Sequence, residues 1–191
     1  QNYSIVLDIG TTTVSGQILD LNSCVVVACP DGQCDGSTLF ALAEASDYNA
    51  QISYGEDVIT RIVYSQRPGG LKKLQEVVVS TINKIIQELL EMSKIDRSLI
   101  SHMVIAGNTT MTQLLLGLDP KYIREAPYVP TANFIPPVRA VHLGINVDDH
   151  VHTYIFPMVA SYVGGDIVAG ILGSGVFQRE MLTLYMDIGT N

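Results

Sequence analysis

The sequence predicts an α/β fold built on a mixed sheet with flanking helices, and three observations carry that reading. Apolar runs of strand length, at 3–7, 102–106 and 153–156, alternate with stretches whose apolar residues recur at helical spacing. The first part of the chain reads as a run of short strands joined by polar turns, before the longest helical stretch begins. One tetrapeptide also occurs twice, as Asp8-Ile9-Gly10-Thr11 and as Asp187-Ile188-Gly189-Thr190, each time after an apolar run of the makeup of a buried strand. Two such turns in one chain imply a duplicated unit, with the turns facing one another across a cleft.

Taken in order, residues 3–7 form a strand that ends at Asp8. Val14, Gly16 and Ile18 alternate with Ser15, Gln17 and Leu19 as a second strand, and Asp20-Leu21-Asn22-Ser23 reads as a tight turn into a third, residues 24–29. Residues 30–37, rich in Gly, Asp and Pro, read as a loop, and residues 39–45 fit either a helix or an extended segment. Tyr54-Gly55-Glu56-Asp57 opens a helix through Val58, Ile59, Ile62 and Val63 that stops at Arg67-Pro68-Gly69-Gly70. A second helix over 71–93 carries Leu71, Leu74, Val78, Ile82, Ile85 and Leu89 on one face. At 1.5 Å per residue its length of about 35 Å crosses a whole sheet.

The strand at 102–106 ends in Gly107-Asn108-Thr109-Thr110, followed by a helix over 111–116 with Gly117 as its cap and Asp119-Pro120 barring continuation. Residues 120–150 hold Pro127, Pro130, Pro136 and Pro137 and little periodicity, so they read as an irregular insertion or contact surface. The strand at 153–156 leads to Gly164-Gly165-Asp166 and a short helix over 167–172, ended by Gly173 and Gly175. Residues 182–186 are expected to form a last strand.

With 191 residues, 47% of them hydrophobic and 16% charged, the chain can bury a substantial core. Its formal net charge of −8 argues against a nucleic-acid partner. Cys24, Cys29 and Cys34 are odd in number and five apart, which suits small thiols in a reducing cytoplasm better than a metal knuckle or a disulfide framework. No apolar run reaches membrane length, so no membrane partner is expected. Asp148, Asp149, His150 and His152 read as a polar turn rather than a metal site, and His102 and His142 as core-edge or surface histidines.

The turns carry the chemistry. Gly10 leaves the backbone without a Cβ, and Thr11, Thr12 and Thr13 add hydroxyl donors, which is what a phosphate needs. A strand-tip aspartate is a hard oxygen ligand for Mg²⁺. Gly107-Asn108-Thr109-Thr110 lies at a strand's carboxyl end and a helix start, the place where a cleft forms in an α/β sheet, so Asn108 and Thr109 read as cleft-lining as well as capping. Asp166 suits either the N-cap of its helix or a place in the site.

The repeated turn resembles the phosphate-1 and phosphate-2 loops of the superfamily of actin, the heat-shock chaperone ATPases, sugar kinases and acetate kinases. That resemblance implies a ribonuclease-H-like (actin-like ATPase) fold whose two halves clamp ATP and Mg²⁺. It implies that Gly10, Thr11, Thr12 and Thr13 grip the phosphates. Gly189, Thr190 and Asn191 would do so from the opposite side, and Asp8 and Asp187 would serve the metal. Gly164 and Gly165 would border the nucleotide where the helix connecting the halves begins, with Asp166 orienting the attacking water or serving as a second-sphere metal ligand and Asp8 sharing the catalytic role.

Several phrases are more specific: Asp8-Ile9-Gly10-Thr11-Thr12-Thr13-Val14, residues 51–62 (QISYGEDVITRI), Gly107-Asn108-Thr109-Thr110-Met111, residues 115–120 (LLGLDP), Ala126-Pro127-Tyr128-Val129-Pro130 and the closing Asp187-Ile188-Gly189-Thr190-Asn191. Across nearly the whole chain they resemble the reductive activators of corrinoid proteins. Those activators use ATP hydrolysis to drive an electron from an iron–sulfur cluster to cobalt(II) of a corrinoid protein, in the service of methyl transfer. The resemblance implies that residues 1–180 are the first ribonuclease-H-like half and residues 181–191 the first strand and phosphate-2 loop of a second. The cluster is expected in an upstream domain outside this chain, and the chain alone is expected to have little ATPase activity. An actin-like-fold kinase, an activator of another iron–sulfur enzyme and a non-catalytic assembly module remain the alternatives. Residues 126–137 are the expected partner or homodimer surface, and residues 182–186 could pair with another copy.

Overall fold

The computed structural model describes residues 2–26 and 37–189. Most of the glycine-rich loop, with Cys29 and Cys34, and the last two residues, Thr190 and Asn191, lie outside the described residues.

A mixed sheet of six strands forms the centre, in the order β3-β2-β1-β4-β6-β5. β1 (Tyr3–Ile9) runs antiparallel to β2 (Thr13–Val26) and parallel to β4 (Ile100–Gly107), while β3 (Ser37–Tyr48) continues the antiparallel edge. β6 (His152–Ile155) lies parallel to β4 and carries the two-residue β5 (Val138–Arg139) on its outer side. Among the described residues five α-helices flank it: α1 (Val58–Ser65), α2 (Gly70–Ser93), α3 (Thr109–Leu115), α4 (Lys121–Arg124) and α5 (Gly165–Ser174). This is the expected ribonuclease-H-like arrangement: three antiparallel strands, then helical crossovers into parallel ones.

The core lies between the sheet and α2. Ile5, Leu7 and Ile9 of β1 and Leu74, Val78, Ile82, Ile85 and Leu89 of α2 are all buried. Each such side chain contributes on the order of 1.5–3 kcal/mol by leaving water. Because strand side chains alternate, Val6 and Asp8 point to the opposite face. Gly16 on β2 lets α2 approach: a Cβ there would stand 2.8 Å from a Leu7 methyl and 3.1 Å from one of Ile85.

The third strand is not where the sequence placed it. Residues 24–26 finish β2 itself, and the pairing with β3 shifts register between Leu19 and Cys24, so Asp20-Leu21-Asn22-Ser23 is a bulge rather than a turn. Asn22 stabilises the bulge, its side-chain amide donating to the Asn2 carbonyl and to Asp20 Oδ1 and its backbone N–H donating to the same Asp20 oxygen. The ambiguous alanine-rich stretch, residues 39–45, is strand. Alanine favours helix in isolation, but here Ala43 and Ala45 are the small residues against which α2 packs.

Residues 120–150 are mostly irregular, yet they are not merely an appendage. Ile123, Ala140, Ile145 and Val147 are buried, and Arg97 and Asn83 anchor the segment through Asn146 and Gly144. Within and beside the polar turn at its end, Asp149 pairs with Arg139 at 3.1 Å, and the ring nitrogens of His150 and His152 contact the Ile100 and His150 carbonyls.

Residues 180–189 carry no regular secondary structure, so the expected strand at 182–186 does not form. A strand needs a neighbour for its N–H and C=O groups, and among the described residues none pairs with this segment. Its apolar side chains, Met181, Leu182, Leu184, Met186 and Ile188, are exposed.

Candidate functional site

Three chain segments meet at the carboxyl ends of the parallel strands β1 and β4. Asp8 lies near the end of β1, and Gly10 opens the turn into β2 by donating its N–H to the Thr13 carbonyl at 2.9 Å. A side chain at Gly10 would meet that same carbonyl oxygen at 2.7 Å, so the turn needs glycine. Asn108, just past β4, caps α3 by accepting from the Met111 N–H at 2.9 Å, and its amide also donates to Thr11 Oγ1 at 3.0 Å. The capping reading of Asn108 thus holds, and its amide joins the β4–α3 turn to the Gly10 turn. The geometry leaves the Thr11 hydroxyl proton free to donate elsewhere, because the Asn108 amide already occupies an acceptor position. Replacing Asn108 by Ala should lower stability by about 1 kcal/mol, read as a shift of the urea midpoint at constant slope.

Thr109 is buried and donates to the Ala160 carbonyl at 2.8 Å, which ties α3 to the approach of α5 instead of facing the cleft. α5 begins at Gly164, which packs directly on the Asn108 turn. A Cβ there would stand 2.6 Å from Asn108 Cα and 2.8 Å from the Thr109 nitrogen. Gly165 is equally confined against Phe156, with a Cβ position 2.7 Å from its carbonyl oxygen. The N-cap is therefore Gly164, not Asp166, because no larger residue fits there. Asp166 lies within the first turn and accepts from the Ile167 N–H at 2.8 Å, favourably placed for a negative charge at a helix amino end.

Asp8, Asp166 and Asp187 form one electrostatic group. Loss of hydration raises the Asp8 carboxyl above its ordinary value of 3.8, and the charges of Asp166 and then Asp187 raise it further. Asp8 nevertheless keeps an exposed edge toward the cleft. Burial likewise raises Asp166, opposed by its hydrogen bond from Ile167 and reinforced by Asp187. Among the described residues no basic side chain enters the electrostatics of either group. Of the second copy of the turn, Asp187 acts on the first through its charge, from a segment without regular secondary structure. Gly189 stands in open space, and Thr190 and Asn191 lie outside the described residues.

A carboxyl raised in the folded state binds protons that the unfolded chain has released, so stability falls as pH rises through that window. For Asp8 the loss begins near 3.8 and is complete above the raised value. Asp8→Asn should therefore raise Tm at pH 7 by about 1–2 °C, and the gain should vanish below the ordinary carboxylate range, as differential scanning calorimetry across pH would show.

The donor set fits a hard divalent cation that arrives with a polyphosphate. Mg²⁺ keeps several waters and takes one or two carboxylates plus phosphate oxygens. Among the described residues no three acidic, His or Cys side chains are gathered to hold a metal by themselves. An open cleft of about 620 Å³ adjoins Asp8 and is lined by Val6, Ser15, Gln17, Glu44 and Ser46.

Sequence reasoning missed the residues under the loop. Asn49, Gln51 and Arg61 are fully buried, and Asn49 bonds directly to the Gly10 and Thr12 carbonyls. The available signal was an arginine at the centre of an amphipathic helix face, between Val58 and Ile62.

A mixed sheet flanked by helices, with carboxylates and a glycine turn at the carboxyl ends of its parallel strands, defines an α/β fold of the ribonuclease-H-like kind. Comparison with known proteins narrows this: residues 3–179 match the RACo middle region family, and the chain belongs to that family. It is 30% identical over 190 residues to the corrinoid activation enzyme RamQ of Eubacterium limosum, covering 99% of this chain and 29% of the relative. It also resembles the solved structure of a reductive activator for a corrinoid, iron–sulfur protein, with a TM-score of 0.87 and 42% identity, over 100% of this chain and 28% of the other. The chain thus spans under a third of the length of the relatives it matches. Among the described residues no helix is long and apolar enough to cross a membrane.

Proposed function

We propose that this chain is the first half of the ATP-binding module of a reductive activator of corrinoid proteins. The observation that carries the reading is the convergence of Asp8, the Gly10 turn, Asn108 and the amino end of α5, with the charge of Asp187 acting on Asp8 and Asp166. The family membership and the names of the two relatives support the partner class.

In this reading the N–H groups and hydroxyls of Gly10, Thr11, Thr12 and Thr13, with Gly189, Thr190 and Asn191 opposite, hold the phosphates. Asp8 and Asp187 hold Mg²⁺ through carboxylate oxygens, which relieves the repulsion that raises Asp8 and Asp166. Gly164 and Gly165 bring the amino end of α5 close to the phosphates. Asp166 orients and deprotonates the attacking water, and its raised carboxyl suits a base better than an ordinary aspartate. ATP supplies the free energy, and an iron–sulfur cluster elsewhere in the protein supplies the electron that reduces cobalt(II). The corrinoid partner or a second copy meets the chain on residues 126–137, where Tyr128, Val129 and Phe134 are exposed.

The test is reduction of a corrinoid protein's cobalt(II), followed by absorption, with the full-length protein and ATP, no ATP, or a non-hydrolysable analogue. ATP-dependent cobalt(I) is the expected result. Hydrolysis without any change at cobalt would move the module to a kinase or another activator.

A further inference from the structure

Beneath the glycine and threonine turn lies a file of polar side chains that the carboxylate site does not use. Asn49, Gln51 and Arg61 are each 0% exposed. Asn49 grips the turn at two points: its Nδ2 donates to the Gly10 carbonyl at 2.9 Å and its backbone N–H to the Thr12 carbonyl at 2.8 Å. Behind it, Gln51 Oε1 lies 3.5 Å from Asn49 Nδ2 and accepts from Arg61 Nη1 at 3.3 Å. Gln51 is itself fixed by donating to the Leu74 carbonyl of α2 at 2.9 Å. Arg61 donates through Nε to the Gly55 carbonyl at 2.9 Å, and its Nη1 also reaches Met111 Sδ at 3.1 Å. Its Nη2 has no hydrogen-bond partner among the described residues.

A buried guanidinium ordinarily meets a carboxylate, often through two parallel hydrogen bonds. Here the acceptors are two neutral carbonyl oxygens and a thioether, and the orphaned Nη2 adds a desolvation cost. Burial lowers the Arg61 pKa to about 10, opposed by Asp57, so the group stays charged at neutral pH. In the low dielectric of a core, a charge without a contact partner acts over several ångströms and polarises the hydrogen bonds attached to it. The orientation of the turn follows from the same file. With the Gly10 carbonyl turned inward onto Asn49, the Thr11 N–H of the same planar trans peptide points the other way.

We infer that Asn49, Gln51 and Arg61 are a positioning set for the Gly10 turn. Asn49 aims the Thr11 N–H outward, and the Arg61 charge, passed through Gln51, biases the turn toward an anion. The inference rests on the reading of that turn as the seat of nucleotide phosphates.

The experiment uses the full-length protein with MgATP and adenosine as separate calorimetric probes, and amide hydrogen exchange at residues 10–13 without nucleotide. Arg61→Gln should weaken MgATP about tenfold, the size of one lost charge interaction, and adenosine less than about twofold, while Arg61→Lys keeps most of the MgATP affinity. Asn49→Ser, whose shorter side chain keeps an acceptor for the Gln51 N–H but does not reach the Gly10 carbonyl, should speed exchange of the Gly10 amide, which is bonded to the Thr13 carbonyl, about tenfold and leave β4 unchanged. Equal losses for MgATP and adenosine, or unchanged exchange in Asn49→Ser, would overturn the inference. If Arg61→Gln does not fold, Arg61→Lys and Asn49→Ser carry the test. Failure of the unaltered protein to bind MgATP would sink the nucleotide reading instead, and the exchange result then decides the positioning role by itself.

Discussion

Asp166→Asn in the full-length protein is expected to cut ATP turnover by about 10²–10³-fold while leaving the Kd for MgATP within about threefold. Asparagine keeps the size of the side chain and the hydrogen bond from the Ile167 N–H, so α5 should stay in place. What it removes is a carboxylate whose proton affinity is already raised by burial and by Asp187. Turnover and equilibrium binding, measured side by side, check the claim. Unchanged turnover would transfer the water-orienting role to Asp8 or Asp187.

Gly164→Ala should be the most damaging small substitution at the site. The backbone angles of Gly164, φ −84° and ψ −178°, suit any residue, so the constraint is space alone. The added methyl would stand 2.6 Å from Asn108 Cα, 2.8 Å from the Thr109 nitrogen and 2.6 Å from Asp166 Oδ1. Two of these atoms are backbone and cannot rotate away, so α5 must lift off the β4–α3 turn. A cost of about 1–3 kcal/mol follows, seen as a Tm lower by about 3–10 °C, and MgATP affinity should fall with it. Gly173→Ala on the same helix is the control. Nothing lies within 4 Å of a Cβ there, and the change should be neutral or gain up to about 1 kcal/mol.

The strands and helices that bury a full face were legible because burial imposes a period. β1, β4, α2 and the helix starts at Asp57 and Asn108 follow from apolar spacing and capping chemistry. β3 was not legible, since Ala41, Ala43 and Ala45 state a helical preference that only the packing of α2 overrides. The bulge at 20–23 uses the same Asp and Asn chemistry as a turn, and which of the two forms depends on whether the chain finds a continuing partner strand. The strand expected at 182–186 did not form for the converse reason, an apolar pattern without a pairing partner among the described residues. At the site, the glycine turns and aspartates announced themselves by repetition. The buried file behind them did not, because an Asn and a Gln two residues apart in one turn and an Arg on the following helix carry no recognised spacing.

The grip on α5 changes along its length. Gly164 and Gly165 are locked against Asn108, Thr109 and Phe156, whereas Leu172, Gly173 and Ser174 are exposed. Tyr185 lies against Gly170 near the middle of the helix, and the firm backbone contacts are all at its amino end. Its ten residues make a shaft of about 15 Å, so a tilt of about 10° at the locked end sweeps the far end through about 2–3 Å. Any tilt of α5 about Gly164 is thereby magnified at Gly175.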